Sequence, residues 1–402
     1  MPPLDLTIVT ETYPPEVNGV AMTIGRLVDG LRRNGHRVRI VRPRQHTDTA
    51  AGEAGNGADG SDLALPGFPL PGYAGLRFGL PAKRRLCAAW RTARPDAVHV
   101  VTEGPLGWSA VAAARALGIP VTSGFHTNFD RYSRHYGIGW LQPAVAAYLR
   151  GFHRRTQATL VPTAALAASL AGEGLSGVKV VGRGVDVELF DPARRSAALR
   201  AEWGLDADEL AVLHVGRLAA EKNIDLALRA FAAIHTRWPR ARLVLVGDGP
   251  LRRKLQRSHP QHHFAGQRLG EDLATHYASG DLFLFASLTE TFGNVTQEAL
   301  ASGLATVAFH SAAAAETIVD GENGRTIAPG DADAFIRAAV QVAEEPEIRR
   351  SLGRRARQSV LACGWGAVSL RFEAVLREAI GEAAPTSSTT APAHTGHSSP
   401  HR

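Results

Sequence analysis

Short runs of consecutive apolar residues alternate along the chain with longer segments in which apolar residues recur every three or four positions. In the first half the apolar runs are LTIVT, RVRIVRP, AVHVV, PVTSGF and TLVPT, at residues 6–10, 37–43, 97–101, 120–125 and 159–163. Helical patterns lie between them at 19–35, 105–118 and 140–157, and the polar, glycine-rich segment 46–62 is expected to be a loop. Short apolar strands separated by helices are typical of a parallel sheet that helices cover on both faces.

The same pattern starts again after the segment GRGVDVELFDP, residues 182–192. The strands of this second series are expected at 210–216, 242–247, 281–286 and 305–309, with a long helix at 223–238. Two amphipathic helices follow at 346–363 and 364–383. We therefore predict an α/β protein with two doubly wound domains, 1–185 and 186–364, whose cleft faces the carboxyl ends of both sheets.

Composition restricts the class of protein and its surroundings. The chain has 402 residues, of which 45% are hydrophobic, and its two cysteines are Cys87 and Cys363. This content excludes a disulfide framework and a cysteine-rich zinc site, and it fits a reducing, cytoplasmic compartment. Neither a membrane-spanning apolar run nor a signal peptide is recognisable. The Ser/Thr/Pro/His-rich tail 383–402 is expected to be disordered, and its histidines lack the fixed spacing of a metal site.

The net charge of +7 favours an anionic partner, which could be a nucleic acid, a phosphate-bearing substrate or an acidic lipid surface. Solvated surface arginines would give the same number. Aromatic residues make up only 6% of the chain, and the distinctive residues fall at predicted strand ends rather than on one basic face. Nucleic-acid binding is therefore disfavoured.

In the first series, two strand ends carry candidate functional residues. After the strand that ends at Thr10, a Pro-Pro loop leads to Gly19, where a helix opens. Glycine there allows a ligand to approach the backbone closely, and the free amide groups favour an anion; the alternative is a plain turn residue. The motif is not the GxGxxG of dinucleotide-binding proteins. His126 follows the strand 120–125 and is expected at the carboxyl end of the sheet, although a capping or core histidine is the other possibility.

The second series carries cations and carboxylates at the corresponding positions. Arg217 and Lys222 surround a strand-to-helix turn, which suits a diphosphate unless the loop is simply solvated. Glu290 follows the strand 281–286, and Glu298 lies in the next helix, near the face of Asn294. A carboxylate pair can serve acid–base catalysis, metal binding or hydroxyl recognition. With amides and cations nearby, recognition of sugar and ribose hydroxyls fits best, and no metal is required.

Taken together, these motifs resemble those of retaining glycosyltransferases of family 4, which have the GT-B fold. The resemblance covers about residues 5–380 and is carried by N-G-V (18–20), G-F-H-T (124–127), R-G-V-D (183–186), V-G-R-L…E-K-N (215–223), V-G-D-G-P (246–250) and E-T-F-G-N-V-T-Q-E-A (290–299). The last is the E-x7-E signature of the family. The resemblance implies an acceptor-binding domain at 1–185, a nucleotide-sugar-binding domain at 186–364 and a helix at 365–382 that crosses back to the first domain.

The resemblance also implies roles for individual residues. His126 and Glu290 would be catalytic, with His126 contacting the transferred sugar and Glu290 holding its hydroxyls. Contacts to the donor would come from Gly19, Arg217, Lys222, Phe292, Gly293, Asn294, Val295 and Glu298. Within that set Arg217 and Lys222 would bind the diphosphate and Glu298 the ribose. Retention of configuration follows from the resemblance and not from any spacing in the sequence.

The resemblance also indicates a donor and a class of acceptor. The motifs are most similar to those of GDP-mannose-dependent α-mannosyltransferases and of sulfolipid synthases that use a UDP-sugar, so GDP-mannose is expected, with a UDP-sugar as the alternative. The acceptor is expected to be a lipid or glycan. Basic, partly apolar segments at 77–95 and 140–157 could lie on an anionic membrane, or their apolar stripes could belong to the core.

Three other functions are compatible with parts of this motif pattern but explain it less well. A sugar-nucleotide epimerase would not need the Arg/Lys pair together with E-x7-E, and a phosphorylase would need a pyridoxal-binding lysine that the sequence does not show. A donor-binding protein without catalysis is disfavoured because His126 and both glutamates are present.

Overall fold

A computed structural model of the chain describes residues 1–16, 18–45, 62–69, 77–126, 142–290 and 292–381. Most of the predicted loop 46–62, the first part of the predicted helix 140–157 and the predicted disordered tail lie outside these ranges.

The first sheet has seven strands, and every pairing within it is parallel. Its order is β3-β2-β1-β6-β7-β8-β9. The strands are Asp5–Val9 (β1), Arg37–Pro43 (β2), Leu63–Leu65 (β3), Ala97–Val100 (β6), Val121–Gly124 (β7), Ala158–Val161 (β8) and Val178–Val180 (β9). A separate antiparallel hairpin is formed by Gly67–Pro69 (β4) and Arg77–Gly79 (β5). Strands β3, β4, β5 and β9 are additions to the predicted set, and at three residues each they are too short to give a periodic signal.

Helices cover both faces of this sheet. They are Gly19–Arg33 (α1), Lys83–Thr92 (α2), Pro105–Ala116 (α3), Gln142–His153 (α4) and Ala164–Gly172 (α5). Asn18 caps the start of α1, because its side-chain oxygen accepts hydrogen bonds from the amides of Val20 and Ala21 at 3.1 and 2.9 Å. These bonds satisfy two amides that have no partner within the helix. They fix the start of α1 in the segment that follows β1.

The second sheet has six parallel strands in the order β12-β11-β10-β13-β14-β15. They are Ala211–Val215 (β10), Arg242–Val246 (β11), His263–Gly266 (β12), Leu282–Phe285 (β13), Ala305–Phe309 (β14) and Arg325–Ile327 (β15). Its helices are Ala197–Glu202 (α6), Ile224–Arg237 (α7), Arg252–Ser258 (α8), Gly270–Ala278 (α9), Asn294–Ala301 (α10), Ala312–Thr317 (α11), Ala332–Glu344 (α12) and Pro346–Val360 (α13). Single 3₁₀ turns span Pro192–Arg194, Ala220–Lys222 and Leu361–Cys363. The predicted α/β class with two doubly wound sheets is confirmed.

Two chain segments pass side by side between the sheets. The amide of Val185 donates to the carbonyl of Cys363 at 3.1 Å, and Asp186 is 3.0 Å from the guanidinium of Arg26 on α1. After Cys363 the chain enters the last helix, Trp365–Ile380 (α14), which packs against α1 of the first sheet. The predicted domain limits themselves stay a prediction.

The contact between α1 and α14 depends on a glycine. A Cβ atom at Gly30 would overlap the side chain of Ser369, which is fully buried on α14. Gly30→Ala should therefore force the two helices apart and lower the free energy of unfolding by about 1–3 kcal/mol. Gly366, on α14, has open space around its Cβ position, so Gly366→Ala should not lower stability. Urea unfolding followed by tryptophan fluorescence compares the two variants; equal midpoints would contradict the close packing.

Candidate active site

The candidate site of the second domain lies where the strand order reverses, between β10 and β13. Ligands in open α/β sheets bind at this point, outside the carboxyl ends of the strands. The segment after β10 carries Arg217 and Lys222, and the segment after β13 carries Glu290. The predicted residues therefore follow the two strands that flank the crevice.

Lys222 and Glu290 form an ion pair between these two segments. Their side chains are 17% and 13% exposed, so the pair is largely shielded from water. Arg217 is more open, with 41% of its side chain exposed, and its guanidinium is 3.7 Å from the carboxylate of the buried Glu221. A shielded lysine beside an accessible arginine can receive an anionic group that enters from the cleft.

Gly293 turns the chain from Glu290 into α10. Its φ of +87° is a left-handed conformation that glycine adopts without strain. The Cβ position of Gly293 is 3.4 Å from Cγ of Glu290, so a larger residue would also press on the carboxylate. Phe292 is buried, whereas Asn294 and Val295 are partly exposed at the start of α10. The start of α10, whose first amides lack partners within the helix, thus lies beside Glu290 of the Lys222–Glu290 pair.

Glu298 lies one turn further along α10, where its carboxylate accepts a hydrogen bond of 2.9 Å from the hydroxyl of Tyr277. Burial raises the pKa of Glu298 to about 7, and the Tyr277 hydrogen bond offsets part of this shift. Burial and the neighbouring carboxylate raise the pKa of Tyr277 well above 10, so Tyr277 remains a donor. Glu298 therefore titrates near neutrality before any ligand binds.

His126 lies two residues after the end of β7. Both ring nitrogens are buried, and they have no hydrogen-bond partner among the described residues. The ring lies over Gly124, where a Cβ atom would overlap it. Burial lowers the pKa of His126 well below 6.5, and the positive charge of Arg183 lowers it further. At neutral pH the imidazole is uncharged and able to donate and accept one hydrogen bond each.

Arg183 is the first residue of the R-G-V-D motif, and in the structure it contacts residues of both halves of the chain. Its guanidinium donates to Oδ1 of Asn294 at 3.3 Å, and its Cζ is 5.7 Å from the centroid of the Phe292 ring. The Cβ position of Gly19 is 3.5 Å from the same guanidinium. Gly19 of the first domain and α10 of the second are thus brought together around one cation. The spacing of residues in the sequence could not identify Arg183 as a site residue, because its neighbours come from segments that are distant in the chain.

Glu11 is a second buried group that sequence reasoning missed. It follows β1, is 8% exposed, and accepts a hydrogen bond of 3.4 Å from the amide of Leu106 at the start of α3. Burial raises the pKa of Glu11 to about 7. Gly104 leaves room for its carboxylate, since a Cβ atom there would overlap it. This contact fixes the start of α3 and makes Glu11 a capping residue.

Two further observations concern metals and membranes. The described ranges hold no group of three or more His, Cys, Asp or Glu side chains placed to bind a metal ion. Among the helices of the same ranges, none combines the length and apolar character needed to cross a bilayer.

The fold is that of the GT-B glycosyltransferases. Residues 17–189 match the model of "Glycosyltransferase Family 4", and residues 209–345 match that of "Glycosyl transferases group 1". A GDP-mannose-dependent alpha-mannosyltransferase from Mycobacterium tuberculosis is 36% identical over 368 residues, which cover 90% of this chain and 93% of the relative. The chain therefore belongs to glycosyltransferase family 4, and the predicted family is confirmed.

Two further comparisons define the range of its relatives. A sulfoquinovosyl transferase from Arabidopsis thaliana is 29% identical over 314 residues, which cover 76% of this chain and 61% of the relative. Among solved structures, sucrose-phosphate synthase from Thermosynechococcus elongatus has a TM-score of 0.73 at 20% identity, covering 94% of this chain and 99% of that chain. The latter likeness concerns the fold alone, and it agrees with the predicted GT-B architecture.

Proposed function

We propose that this protein transfers mannose from GDP-mannose to a lipid acceptor and forms an α-mannoside with retention of configuration. The observation that carries the proposal is the shielded Lys222–Glu290 pair beside the first amides of α10, at the strand-order reversal of the second sheet. This arrangement offers a cation and amides to a diphosphate and a carboxylate to sugar hydroxyls. The mannosyltransferase relative, which spans nearly the whole chain, supports mannose as the sugar.

In the proposed complex, Arg217, Lys222 and the amides of residues 293–295 hold the diphosphate. Glu298 accepts hydrogen bonds from the ribose hydroxyls, and Glu290 accepts them from the mannose hydroxyls while Lys222 remains beside it. As the bond between the anomeric carbon and the phosphate oxygen breaks, negative charge grows on the diphosphate. Preformed cations and amides stabilise such charge effectively in a shielded site, so the residues present can perform this step themselves.

The acceptor hydroxyl is proposed to attack the anomeric carbon from the face that the diphosphate leaves. A departing phosphate oxygen accepts the hydroxyl proton as the new carbon–oxygen bond forms. The neutral imidazole of His126 lies at the carboxyl end of the first sheet and can orient a hydroxyl of the sugar by hydrogen bonding. No covalent glycosyl–enzyme bond is needed in this scheme.

A donor panel tests the nucleotide and the sugar. The purified protein is melted in the presence of GDP-mannose, UDP-glucose, UDP-galactose or UDP-glucuronate. A stabilising shift with GDP-mannose alone is the expected result, because a ligand that binds the folded state raises the melting temperature. A shift with a UDP-sugar instead would replace the donor and favour the alternative, a UDP-sugar-dependent glycolipid synthase closer to the sulfoquinovosyl transferase.

Donor binding should depend on pH through Glu298. Its carboxylate form accepts hydrogen bonds from the ribose, and its pKa is raised to about 7, so protonation below that value should weaken binding. The Kd for GDP is expected to rise as pH falls below 7, by up to about tenfold per pH unit, and to level off at higher pH. Isothermal titration calorimetry at several pH values on both sides of 7 measures the Kd for GDP. Glu298→Gln should abolish the dependence, and the idea fails if wild type and variant give the same profile.

An exposed apolar and basic surface on the first domain suggests how a lipid acceptor is reached. Phe68 and Phe78 are cross-strand partners on the β4–β5 hairpin and are 60% and 42% exposed. Leu80, directly after the hairpin, is 47% exposed. The first turn of α2 contains no acidic residue and adds three exposed cations, Lys83, Arg84 and Arg85. Aromatic side chains flanked by cations favour an anionic lipid surface.

The apolar stripes of the two basic helices themselves belong to the core. Leu86 and Trp90 on α2 are buried, as are Leu149 and Phe152 on α4. The proposed membrane contact is therefore the hairpin and the start of α2, not the apolar faces of the helices.

Sedimentation with vesicles of phosphatidylglycerol and phosphatidylcholine tests this contact. Wild type is expected to sediment with anionic vesicles at low salt and to be released as salt rises. Replacing Phe68 and Phe78 together by serine should abolish sedimentation, whereas the same change at Leu269, an exposed residue of the second domain, should not. Equal sedimentation of all three proteins would rule out the hairpin as the membrane contact.

A further inference from the structure

The charge of Arg183 has no ion-pair partner among the described residues, and Glu290 attracts it only from beyond ion-pair distance. The residue lies in the segment between β9 and β10 and is 8% exposed. Among the described residues no carboxylate lies within 4.0 Å of its guanidinium, and its Nε is buried without a hydrogen-bond partner. Burial lowers the pKa of Arg183 to about 10, so it is still cationic at neutral pH. A buried, unpaired guanidinium is unfavourable unless an anion joins it.

The neighbours of this guanidinium indicate where such an anion would lie. Asn294 and Phe292, on one side, belong to the start of α10, and Gly19, on the other, opens α1. Both helix starts present amides that have no partner within their own helix, apart from those that Asn18 satisfies. The hydrogen bond to Asn294 has a neutral acceptor and supplies no counter-ion, and the carboxylate of Glu290 attracts the guanidinium only from beyond ion-pair distance.

We infer that Arg183 binds the diphosphate of the nucleotide-sugar donor, as a third cation that faces it from the side of the first domain. This inference rests on the proposed function, since it places an additional residue in the same donor site. Phosphate oxygens accept two parallel hydrogen bonds from a guanidinium, which an ammonium cannot supply. Because Arg183 lies between Gly19 and Asn294, the bound diphosphate would also hold the two domains together around it.

The test compares the diphosphate-dependent part of binding in matched variants. Calorimetry gives the Kd for GDP, and ligand-observed NMR gives that for guanosine, which lacks phosphate. Arg183→Gln should weaken GDP by about 30-fold or more and leave guanosine unchanged. Arg183→Lys should restore only part of the loss. Arg26→Gln is the control: it breaks the 3.0 Å ion pair to Asp186 in the same segment but keeps Arg183, so GDP binding should be unchanged.

The possible outcomes separate this inference from the proposed function. If wild type binds neither GDP nor UDP, the proposed function itself is wrong. If wild type prefers UDP, the same comparison is made with UDP and uridine. If Arg183→Gln binds the nucleoside diphosphate as tightly as wild type, Arg183 does not bind phosphate. The same conclusion holds if the variant loses affinity for the diphosphate and for the nucleoside by the same factor. An unchanged GDP affinity with a raised KM for the acceptor would move Arg183 to the acceptor site and overturn the inference. Melting temperatures confirm that each variant is folded.

Discussion

Replacing Lys222 with methionine is expected to lower kcat/KM for the donor by about 10²–10³-fold, the usual effect of removing one preorganised group that stabilises a developing anion. Methionine keeps most of the aliphatic side chain and removes the charge. Lys222 is shielded by its surroundings, so solvent cannot replace the lost charge effectively. The effect should fall on kcat as well as on KM, because charge on the diphosphate grows as the bond breaks.

Lys254→Met is the matched control. Lys254 is an exposed residue of α8 in the same domain, and its replacement should leave kcat/KM within about twofold of wild type. Initial rates of GDP release at several donor concentrations give both constants. If Lys222→Met behaved like Lys254→Met, the assignment of the diphosphate site would be wrong.

Replacing Glu290 with alanine should be comparably damaging, with a loss of about 10²–10⁴-fold in kcat/KM. This is the range for losing two hydrogen bonds to a charged acceptor. The substitution also leaves Lys222 without its ion-pair partner. Glu290→Gln should lose less, since its amide oxygen still accepts one bond. Glu322→Gln, an exposed change in the same domain, serves as the control.

The two residues should also show coupling. Because Lys222 and Glu290 form one pair, the loss in the double variant is expected to be smaller than the product of the two single losses. If the two losses simply multiplied, the side chains would act on the donor independently, which would contradict the ion pair between them.

The sequence predicted the position of the site better than its internal contacts. Arg217, Lys222 and Glu290 all follow apolar strand runs, and the carboxyl ends of parallel strands share one edge of a sheet. This rule alone predicts that the three side chains lie near one crevice. The ion pair between Lys222 and Glu290 joins residues that are 68 positions apart, and it depends on how two loops pack.

The burial of Arg183 and Glu11 could not be predicted from the hydrophobic pattern or from residue spacing, because it depends on tertiary packing. Arg183 is surrounded by Gly19 on one side and by Phe292 and Asn294 on the other, two segments that are far apart in the chain. Glu11 is buried because Leu106 and Gly104 from another strand end close over it. Strands β3, β9 and β15 were missed for a different reason, since three residues at a sheet edge are held by their neighbours and not by their own periodicity.

The most direct test of the proposed function is the product formed from GDP-mannose labelled with ¹³C at the anomeric carbon. The protein is incubated with the labelled donor and anionic vesicles that contain diacylglycerol and phosphatidylinositol, and the lipid product is analysed by NMR. The expected result is release of GDP together with a mannolipid whose anomeric carbon has the α configuration of the donor. A β-linked product, or turnover of UDP-sugars in place of GDP-mannose, would contradict the proposed reaction.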